Sequence, residues 1–284
     1  MHNIIITAEC VADMPSDILN NGEVDVIYYD VETEEGVFRD TVEIDSQNLM
    51  EYVAGGKKKV YSVVPTANDY KNFFNKNLKE YDEIIHICIS GGISVAYSNA
   101  QLARAKMGKD GNKVHLIDSK SLSAGQGLVT LQALKYRDQG MNSSEIVENL
   151  NKYIKTVSTT FLADNANYLY YNGKVSKGIM DLCNFLNLHP VLSMVDGTLT
   201  VRKVYFGAYE RAAKKYVKSL IGDASKIDNS MGYLVYAGCS SELLEMVRKE
   251  IGSHTDFGVA YESVTSATVS ANCGPKTFGV MERG

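Results

Sequence analysis

The sequence lacks the cysteine and histidine patterns that bind metals or form disulfide frameworks. Its five cysteines stand singly, with no C-x-x-C pair and no cluster with histidine. The five histidines are equally dispersed, and no H-E-x-x-H or similar spacing occurs. Zinc-binding and disulfide-stapled folds depend on such spacings. We therefore expect no bound metal, no disulfide framework and reduced thiols.

The sequence also lacks an excess of positive charge and a long apolar run. It has 29 Lys and Arg against 34 Asp and Glu, a formal net charge of −5, so we expect no nucleic-acid partner. No segment approaches the ~18 apolar residues of a membrane span, so we expect no stable membrane insertion. A strand pattern begins at Asn3 with no basic region before it, which favours a cytoplasmic protein.

Motifs for common cofactors are missing as well. There is no P-loop, and no G-x-G-x-x-G opens a helix after a strand. The pair Gly125-x-Gly127 lacks the third glycine of a dinucleotide fingerprint. We therefore expect no cofactor.

What is present is a regular alternation of strand and helix patterns in the first half of the chain. The alternation favours a parallel, doubly wound sheet with helices on both faces. The predicted strands are Asn3–Thr7, Val24–Tyr29, Val60–Val64, Ile84–Ile89 and Val114–Ile117. The predicted helices are Ser16–Asn21, Ser46–Ala54, Ala67–Lys79, Ser94–Met107, Ala124–Gln139 and Ser144–Lys155.

From about Thr156 the pattern changes. Asp196-Gly197 between two apolar runs is a strong hairpin signal. The other predicted elements are strands at Gly232–Ala237, Asp256–Ser263 and Ala267–Ala271 and helices at Ala208–Leu220 and Ser241–Ile251. The 284 residues are enough for two domains. We predict an N-terminal α/β domain over 1–155 and a C-terminal α+β domain with a mixed sheet over 156–284.

The most informative segment runs from Ile84 to Ala100. An apolar strand pattern ends at Ser90-Gly91-Gly92, and a helix pattern begins at Ser94. The first turn of a helix offers free N–H groups and partial positive charge, and glycines let a ligand approach the backbone. Phosphate or carboxylate could bind here, with Ser90 and Ser94 as hydroxyl donors. A simple turn followed by a helix cap explains the same residues.

A series of motifs along nearly the whole chain resembles the DegV family of bacterial fatty-acid-binding proteins, of which this sequence would be a divergent member. Their order and spacing are more specific than any one of them. They are Ala8–Pro15, Ser62–Thr66, Ser90–Tyr97, Ile117–Ser119 with Ser123–Gly127, Tyr168-Leu169 with Asn172–Val175, His189–Leu192 with Asp196-Gly197, and Asn272–Pro275.

The resemblance implies a DegV-like fold of two domains with a long-chain fatty acid in an apolar tunnel between them. It also implies a carrier without catalytic activity, which presents the acid to a separate kinase subunit that makes acyl phosphate for phospholipid synthesis. Ser62 and Ser94 match the family's carboxylate-binding hydroxyls. Lys174 and Asn272 stand where the family has arginine and histidine near the head group.

The chemistry of these residues suits a long-chain carboxylate. At ~0.8 kcal/mol per buried methylene, the tail supplies most of the affinity, and the head group needs hydrogen bonds. We expect Ser62 and Ser94 to lie at the carboxyl ends of adjacent parallel strands, where ligands of open α/β sheets bind. The predicted ligand-binding residues are Ser62, Ser94, Ser90, Gly91, Gly92, Asn272 and Lys174.

Other functions stay open at this point. The same cleft could belong to a small-molecule-modifying enzyme or hold a different anionic lipid. Glu9 and Asp13 could form an acid pair, although Asp13 before Met14-Pro15 is more simply a turn residue. No nucleophile elbow of the G-x-S-x-G type is present. Besides a lipid carrier and an enzyme, a third possible class of function is a structural or interaction protein with an empty cleft.

Overall fold

A computed structural model describes residues 3–54, 60–171, 173, 175–221 and 228–283. A four-stranded parallel sheet, in the order β2-β1-β6-β7, forms the first part of the fold. Its strands are β1 (Ile4–Glu9), β2 (Val24–Ile27), β6 (Glu83–Cys88) and β7 (Val114–Asp118). Four of the five predicted strands of the first half are therefore confirmed as members of this sheet.

Helices cover both faces of the parallel sheet. Successive residues of each strand point to opposite faces, so the strands contribute side chains to two separate cores. Ile6, Ile85 and Ile87 pack in one core with α5 and α6, which span Ser123–Asp138 and Ser143–Tyr153. Ile5 and Ile84 pack in the other core with α3 and α4, which span Ala67–Asn77 and Ala96–Lys106. The remaining helices before residue 156 are α1 (Ser16–Asn20) and α2 (Ser46–Ala54). The predicted α/β architecture is confirmed.

The predicted strand at Val60–Val64 does not belong to the parallel sheet. It forms β5 (Tyr61–Val63) at the edge of a separate antiparallel sheet, next to β3 (Asp30–Thr33), which also pairs with β4 (Gly36–Arg39). The expectation that Ser62 ends a strand adjacent to β6 is therefore wrong. Ser62 lies in the middle of β5, opposite Val31. All three residues of β5 are exposed, unlike the buried strands of the parallel sheet.

A six-stranded mixed sheet makes up the second part of the fold, in the order β10-β9-β8-β13-β11-β12. Its strands are β8 (Val157–Leu162), β9 (Leu188–Val195), β10 (Thr198–Phe206), β11 (Asp228–Ala237), β12 (Ala260–Val264) and β13 (Thr277–Arg283). The predicted Asp196-Gly197 hairpin is confirmed between β9 and β10, with both turn residues at positive φ. The sheet begins after the predicted domain boundary near residue 155, and that boundary stays a prediction.

The helices of this second part are α7 (Asn167–Tyr171), α8 (Lys177–Phe185), α9 (Tyr209–Ile221), α10 (Ser241–Gly252) and α11 (Ala267–Cys273). The strand predicted at Ala267–Ala271 is wrong, because these residues form α11. Ser266 caps this helix by accepting a hydrogen bond from the N–H of Val269 at 3.3 Å. No helix in the described part of the chain has the length and apolar character that crossing a membrane requires.

Helix α5 lies between the two sheets and joins them through one core. Leu128 of this helix shares that core with Ile6 of the parallel sheet and with Phe161 and Tyr233 of the six-stranded sheet. The close packing explains the unusual Gly125-x-Gly127 pair. A Cβ at Gly127 would lie 2.8 Å from the carbonyl oxygen of Ala12, so the pair serves helix packing.

Asp13 connects the end of the parallel sheet to the second part of the fold. It is buried and has a φ of 50°. Its carboxylate accepts hydrogen bonds from the Ser123 hydroxyl and, at 2.6 Å, from the N–H of Ser266. Its carbonyl oxygen accepts from the Tyr233 hydroxyl at 2.5 Å and the Ser263 hydroxyl at 2.7 Å. Asp13 is therefore much more than a turn residue.

The position of Asp13 makes the stability of the protein depend on pH. Burial raises the pKa of Asp13 from 3.8 to about 7, so over this interval the folded chain retains a proton that the unfolded chain has released. The free energy of unfolding of the parent protein minus that of Asp13→Asn should fall as pH rises towards about 7, by at most about 1.4 kcal/mol per pH unit. Asparagine tolerates positive φ, which preserves the backbone.

Urea unfolding of both proteins between about pH 5 and pH 8 measures this difference. The comparison with the variant removes the contributions of titrating groups that do not interact with Asp13. A difference between the two proteins that stays constant, or that rises with pH, would contradict the assignment.

Candidate functional site

A cavity of about 250 Å³ lies between the carboxyl edge of the parallel sheet and the six-stranded sheet. Val11, Ile89 and Leu122 reach it from the segments that follow β1, β6 and β7, while Phe161, Leu192 and Leu199 reach it from β8, β9 and β10. Most of its lining is apolar: Val11, Val64, Ile89, Ile93, Leu122, Phe161, Leu169, Leu192, Leu199 and Val269. Such a lining suits a hydrocarbon chain better than a polar metabolite.

Hydroxyl and amide side chains from four different segments also line the cavity: Tyr29, Ser62, Ser94, Thr268 and Asn272. The side-chain amide of Asn272 donates to the Thr268 carbonyl at 2.8 Å and lies 3.5 Å from the Ser62 hydroxyl. The Ser94 hydroxyl accepts from the N–H of Ala96 at 3.2 Å. The structure thus brings three predicted ligand-binding residues, Ser62, Ser94 and Asn272, to one cavity.

Two buried aspartates position helix α11, which carries Thr268 and Asn272. The Asp40 carboxylate accepts from the N–H groups of Ala267 and Thr268 at 2.8 and 2.9 Å, and Asp13 accepts from Ser266. Burial raises the pKa of Asp40, and hydrogen bonds from this helix end oppose the rise. Thr268 and Asn272 are four residues apart and so share a helix face.

Ser90, Gly91 and Gly92 are not among the residues that line the cavity. The Ser90 hydroxyl is buried and donates to the Gly197 carbonyl at 2.7 Å. The N–H of Gly91 donates to Asp118 at 3.3 Å. A Cβ at Gly92 would lie 2.4 Å from the Gly197 carbonyl oxygen. Gly92 thus admits the β9–β10 hairpin turn, and a role of these three residues in ligand binding stays a prediction that this placement does not favour.

The electrostatics of the site depend on neutral groups within the described lining. No Lys, Arg or His side chain is among those lining residues. Lys174, which was predicted near the head group, lies outside the described residues. Arg202 is exposed on β10 and does not line the cavity. An anionic head group would therefore meet hydroxyl and amide donors at the described lining.

Sequence reasoning missed Tyr29 and Thr268. The hydroxyl oxygens of both are buried and meet hydrogen-bond geometry with no described group, although the Thr268 hydroxyl is close enough to Asp40 to lower the pKa of that carboxyl. Tyr29 stands at the end of the predicted strand Val24–Tyr29, where a tyrosine is not unusual. Thr268 lies within the strand that was wrongly predicted at Ala267–Ala271. A polar cap signal at Thr265-Ser266 could have identified α11, but nothing local marks Tyr29.

A buried polar network lies beneath the cavity. Glu9 accepts hydrogen bonds from the Tyr70 hydroxyl at 2.8 Å, from the N–H of Ile89 at 2.9 Å and from the Gln126 amide at 2.5 Å. Among the described residues, Glu9, His86 and Cys88 form a group that could hold a metal ion. Because protein donors already bind both carboxylate oxygens of Glu9, the network accounts for this carboxylate without a metal.

The comparisons with known proteins agree on one family. The model of the DegV family of uncharacterised proteins matches residues 3–283. Protein DegV of Bacillus subtilis is 24% identical over 281 residues, 98% of each chain. A fatty-acid-binding DegV family protein from Thermus thermophilus has a TM-score of 0.87, 21% identity and 99% coverage of both chains.

A DegV family protein from Eubacterium eligens, loaded with heptadecanoic acid, has a TM-score of 0.82 at 18% identity over 99% of both chains. At these identities the structural likeness establishes the fold.

The contact between Gly92 and the hairpin turn yields a prediction about stability. Gly92→Ala should lower the free energy of unfolding by about 1–3 kcal/mol, because the new methyl group must displace the backbone of Gly197. Urea unfolding measures the effect. Gly178→Ala is the control, since no atom lies within 4 Å of a Cβ there. A variant as stable as the parent that only binds ligand less well would instead place Gly92 at the ligand.

Proposed function

The chain belongs to the DegV family, and from that premise we propose that it binds a long-chain fatty acid in the cavity between its two sheets. The carboxylate is held by Ser62, Ser94 and the N-terminal end of α4, with Asn272 beside it. The protein is a carrier without catalysis of its own and presents the acid to a separate kinase subunit. The DegV family protein from Eubacterium eligens is loaded with heptadecanoic acid, and a structurally similar protein from Eubacterium ventriosum is a stearic-acid-binding protein.

The observation that carries the proposal is an apolar cavity whose described lining also includes neutral hydrogen-bond donors. The tail would gain ~0.8 kcal/mol for each methylene that leaves water. A carboxylate at the hydroxyls of Ser62 and Ser94 keeps hydrogen bonds that it would otherwise lose. The start of α4 adds the favourable potential of a helix N-terminus.

The exposure of the polar groups supports presentation to a second protein. Ser62 and Asn272 are exposed, whereas the apolar lining residues Phe161 and Leu192 are buried. A head group beside Ser62 would therefore lie near the surface while its tail stays enclosed. A kinase could then reach the carboxylate without extracting the acyl chain.

The described lining offers little for catalysis by the protein itself. Its hydroxyls have no histidine beside them in the cavity. Cys273 is the one thiol among the described lining residues, and burial raises its pKa to about 12, so almost no thiolate forms near neutral pH. A serine or cysteine nucleophile would need an adjacent base or a lowered pKa.

Protein made in bacteria should carry a fatty acid through purification. Native mass spectrometry would show the mass of the complex, and its dissociation would identify the acid. Delipidated protein should gain thermal stability on addition of a long-chain acid, because the ligand binds the folded state only. No bound acid and no thermal shift across saturated and unsaturated acids of several lengths would overturn the carrier proposal. Turnover of the acid without a partner would favour the enzyme.

Removal of either serine hydroxyl should weaken binding while the fold survives. Ser62→Ala and Ser94→Ala should each weaken the binding of palmitic acid by roughly 1–3 kcal/mol. Ser98→Ala is the matched control, since Ser98 is exposed on α4 and bonds only the carbonyl of Val95. Equilibrium binding to delipidated protein measures all three. Unchanged affinity in both test variants would remove these hydroxyls from the site.

A further inference from the structure

Tyr29 lies between β2 and β3. Its side chain packs in the apolar core and also lines the cavity. The residue is only 2% exposed and packs with Ile5, Val11 and Ile27. It also lines the cavity, together with Ser94. Its hydroxyl oxygen is buried and finds no hydrogen-bond partner in the described part of the chain. Buried hydroxyls without partners are rare, because the lost hydration is not replaced.

The surroundings of the hydroxyl explain what it can offer. Burial raises the pKa of Tyr29 well above its ordinary value, and the negative charge of Glu9 adds to the rise. The hydroxyl therefore keeps its proton near neutral pH and stays a donor. The Ser94 hydroxyl opposes the rise in pKa as a hydrogen-bonding neighbour of the Tyr29 oxygen, although no described group meets the distance and angle of a full hydrogen bond with that oxygen. The proton of Tyr29 thus has no acceptor among the described groups and lies close to the Ser94 hydroxyl.

From this arrangement, and resting on the proposed function, we infer that the Tyr29 hydroxyl is a head-group donor that binds the ligand carboxylate together with Ser94. A carboxylate can accept about four hydrogen bonds. At a lining whose described part holds no cation, each neutral donor has to carry a larger share of the charge. Ser94 and Tyr29 approach from the β6–α4 segment and the β2–β3 junction, so one carboxylate could receive both protons.

The inference predicts opposite effects of one substitution on binding and on stability. Tyr29→Phe removes the oxygen and keeps the ring. It should weaken palmitic acid binding to delipidated protein by roughly 10- to 100-fold. The ligand-free variant should be as stable as the parent or more stable, because an unpartnered buried hydroxyl has been removed. A tyrosine with a purely structural role would show no such separation.

A second buried tyrosine supplies the control. Tyr216 is fully buried, and its hydroxyl bonds Thr160 at 2.8 Å and the N–H of Val280 at 3.3 Å. Tyr216→Phe should lower stability, since it leaves these partners without their bond, and should not change the affinity for palmitic acid. The pair of variants separates loss of a ligand donor from loss of a structural hydrogen bond.

A spectroscopic measurement decides the matter even if stability changes. Palmitic acid with ¹³C in its carboxyl group reports the titration of the bound head group by NMR. Hydrogen bonds to a carboxylate favour its charged form, so the pKa of the bound acid should be higher in Tyr29→Phe than in the parent. Tyr216→Phe should leave it unchanged.

The outcomes distinguish this inference from the proposed function. Binding by the parent protein with equal affinity and equal carboxyl titration in Tyr29→Phe would overturn the role of Tyr29 and leave the fatty-acid proposal standing. Failure of the parent protein to bind any long-chain acid would overturn both. Weaker binding together with a raised pKa of the bound acid would support both.

Discussion

The structure depends on the burial of one carboxyl group, that of Asp13, at the place where its two parts meet. Its side chain binds the start of α5 through Ser123 and the start of α11 through Ser266. Its carbonyl oxygen binds Tyr233 and Ser263 from the six-stranded sheet. A single residue thus fixes the parallel sheet, the central helix and the second sheet relative to one another. The cavity lies in the space that this arrangement leaves open.

The same arrangement determines what the cavity can bind. Asp13 and Asp40 together accept hydrogen bonds from three consecutive N–H groups at the start of α11. That helix brings Thr268 and Asn272 to the cavity. The buried Tyr29 hydroxyl, whose proton has no acceptor among the described groups, is unfavourable for stability by itself. Binding sites commonly carry such strain, because groups left unsatisfied in the free protein are available to the ligand.

The sequence predicted those features that depend on local pattern. The isoleucine-rich strands of the parallel sheet and the Asp-Gly turn were readable because their periodicity and turn chemistry are confined to a few residues. Residues 267–271 were not, because short β-branched runs suit a strand as well as a helix. What decides for the helix is the pair of aspartates at positions 13 and 40, more than 220 residues away in the chain.

The candidate site, like the fold, was predicted only in part. Ser62, Ser94 and Asn272 were found through the order of motifs along the chain, and they do reach one cavity. The expected geometry for Ser62 was wrong, because strand patterns do not reveal which sheet a strand joins. Ser90 and Gly92 meet the hairpin turn at Gly197, a contact between segments more than 100 residues apart. Tyr29 has no local signal, since a strand-end tyrosine is ordinarily a packing residue.

The separation of apolar and polar groups bears on how the proposed carrier function would work. Affinity from the enclosed tail does not depend on the charge of the head group, whereas a fixed cation at the head would bind a carboxylate and its phosphorylated product differently. Neutral donors near the surface would bind the carboxylate and its phosphorylated product with more similar affinity. In the proposed function, chemistry at the carboxylate could then proceed while the buried chain keeps the ligand bound, and release would be governed by opening of the apolar cavity.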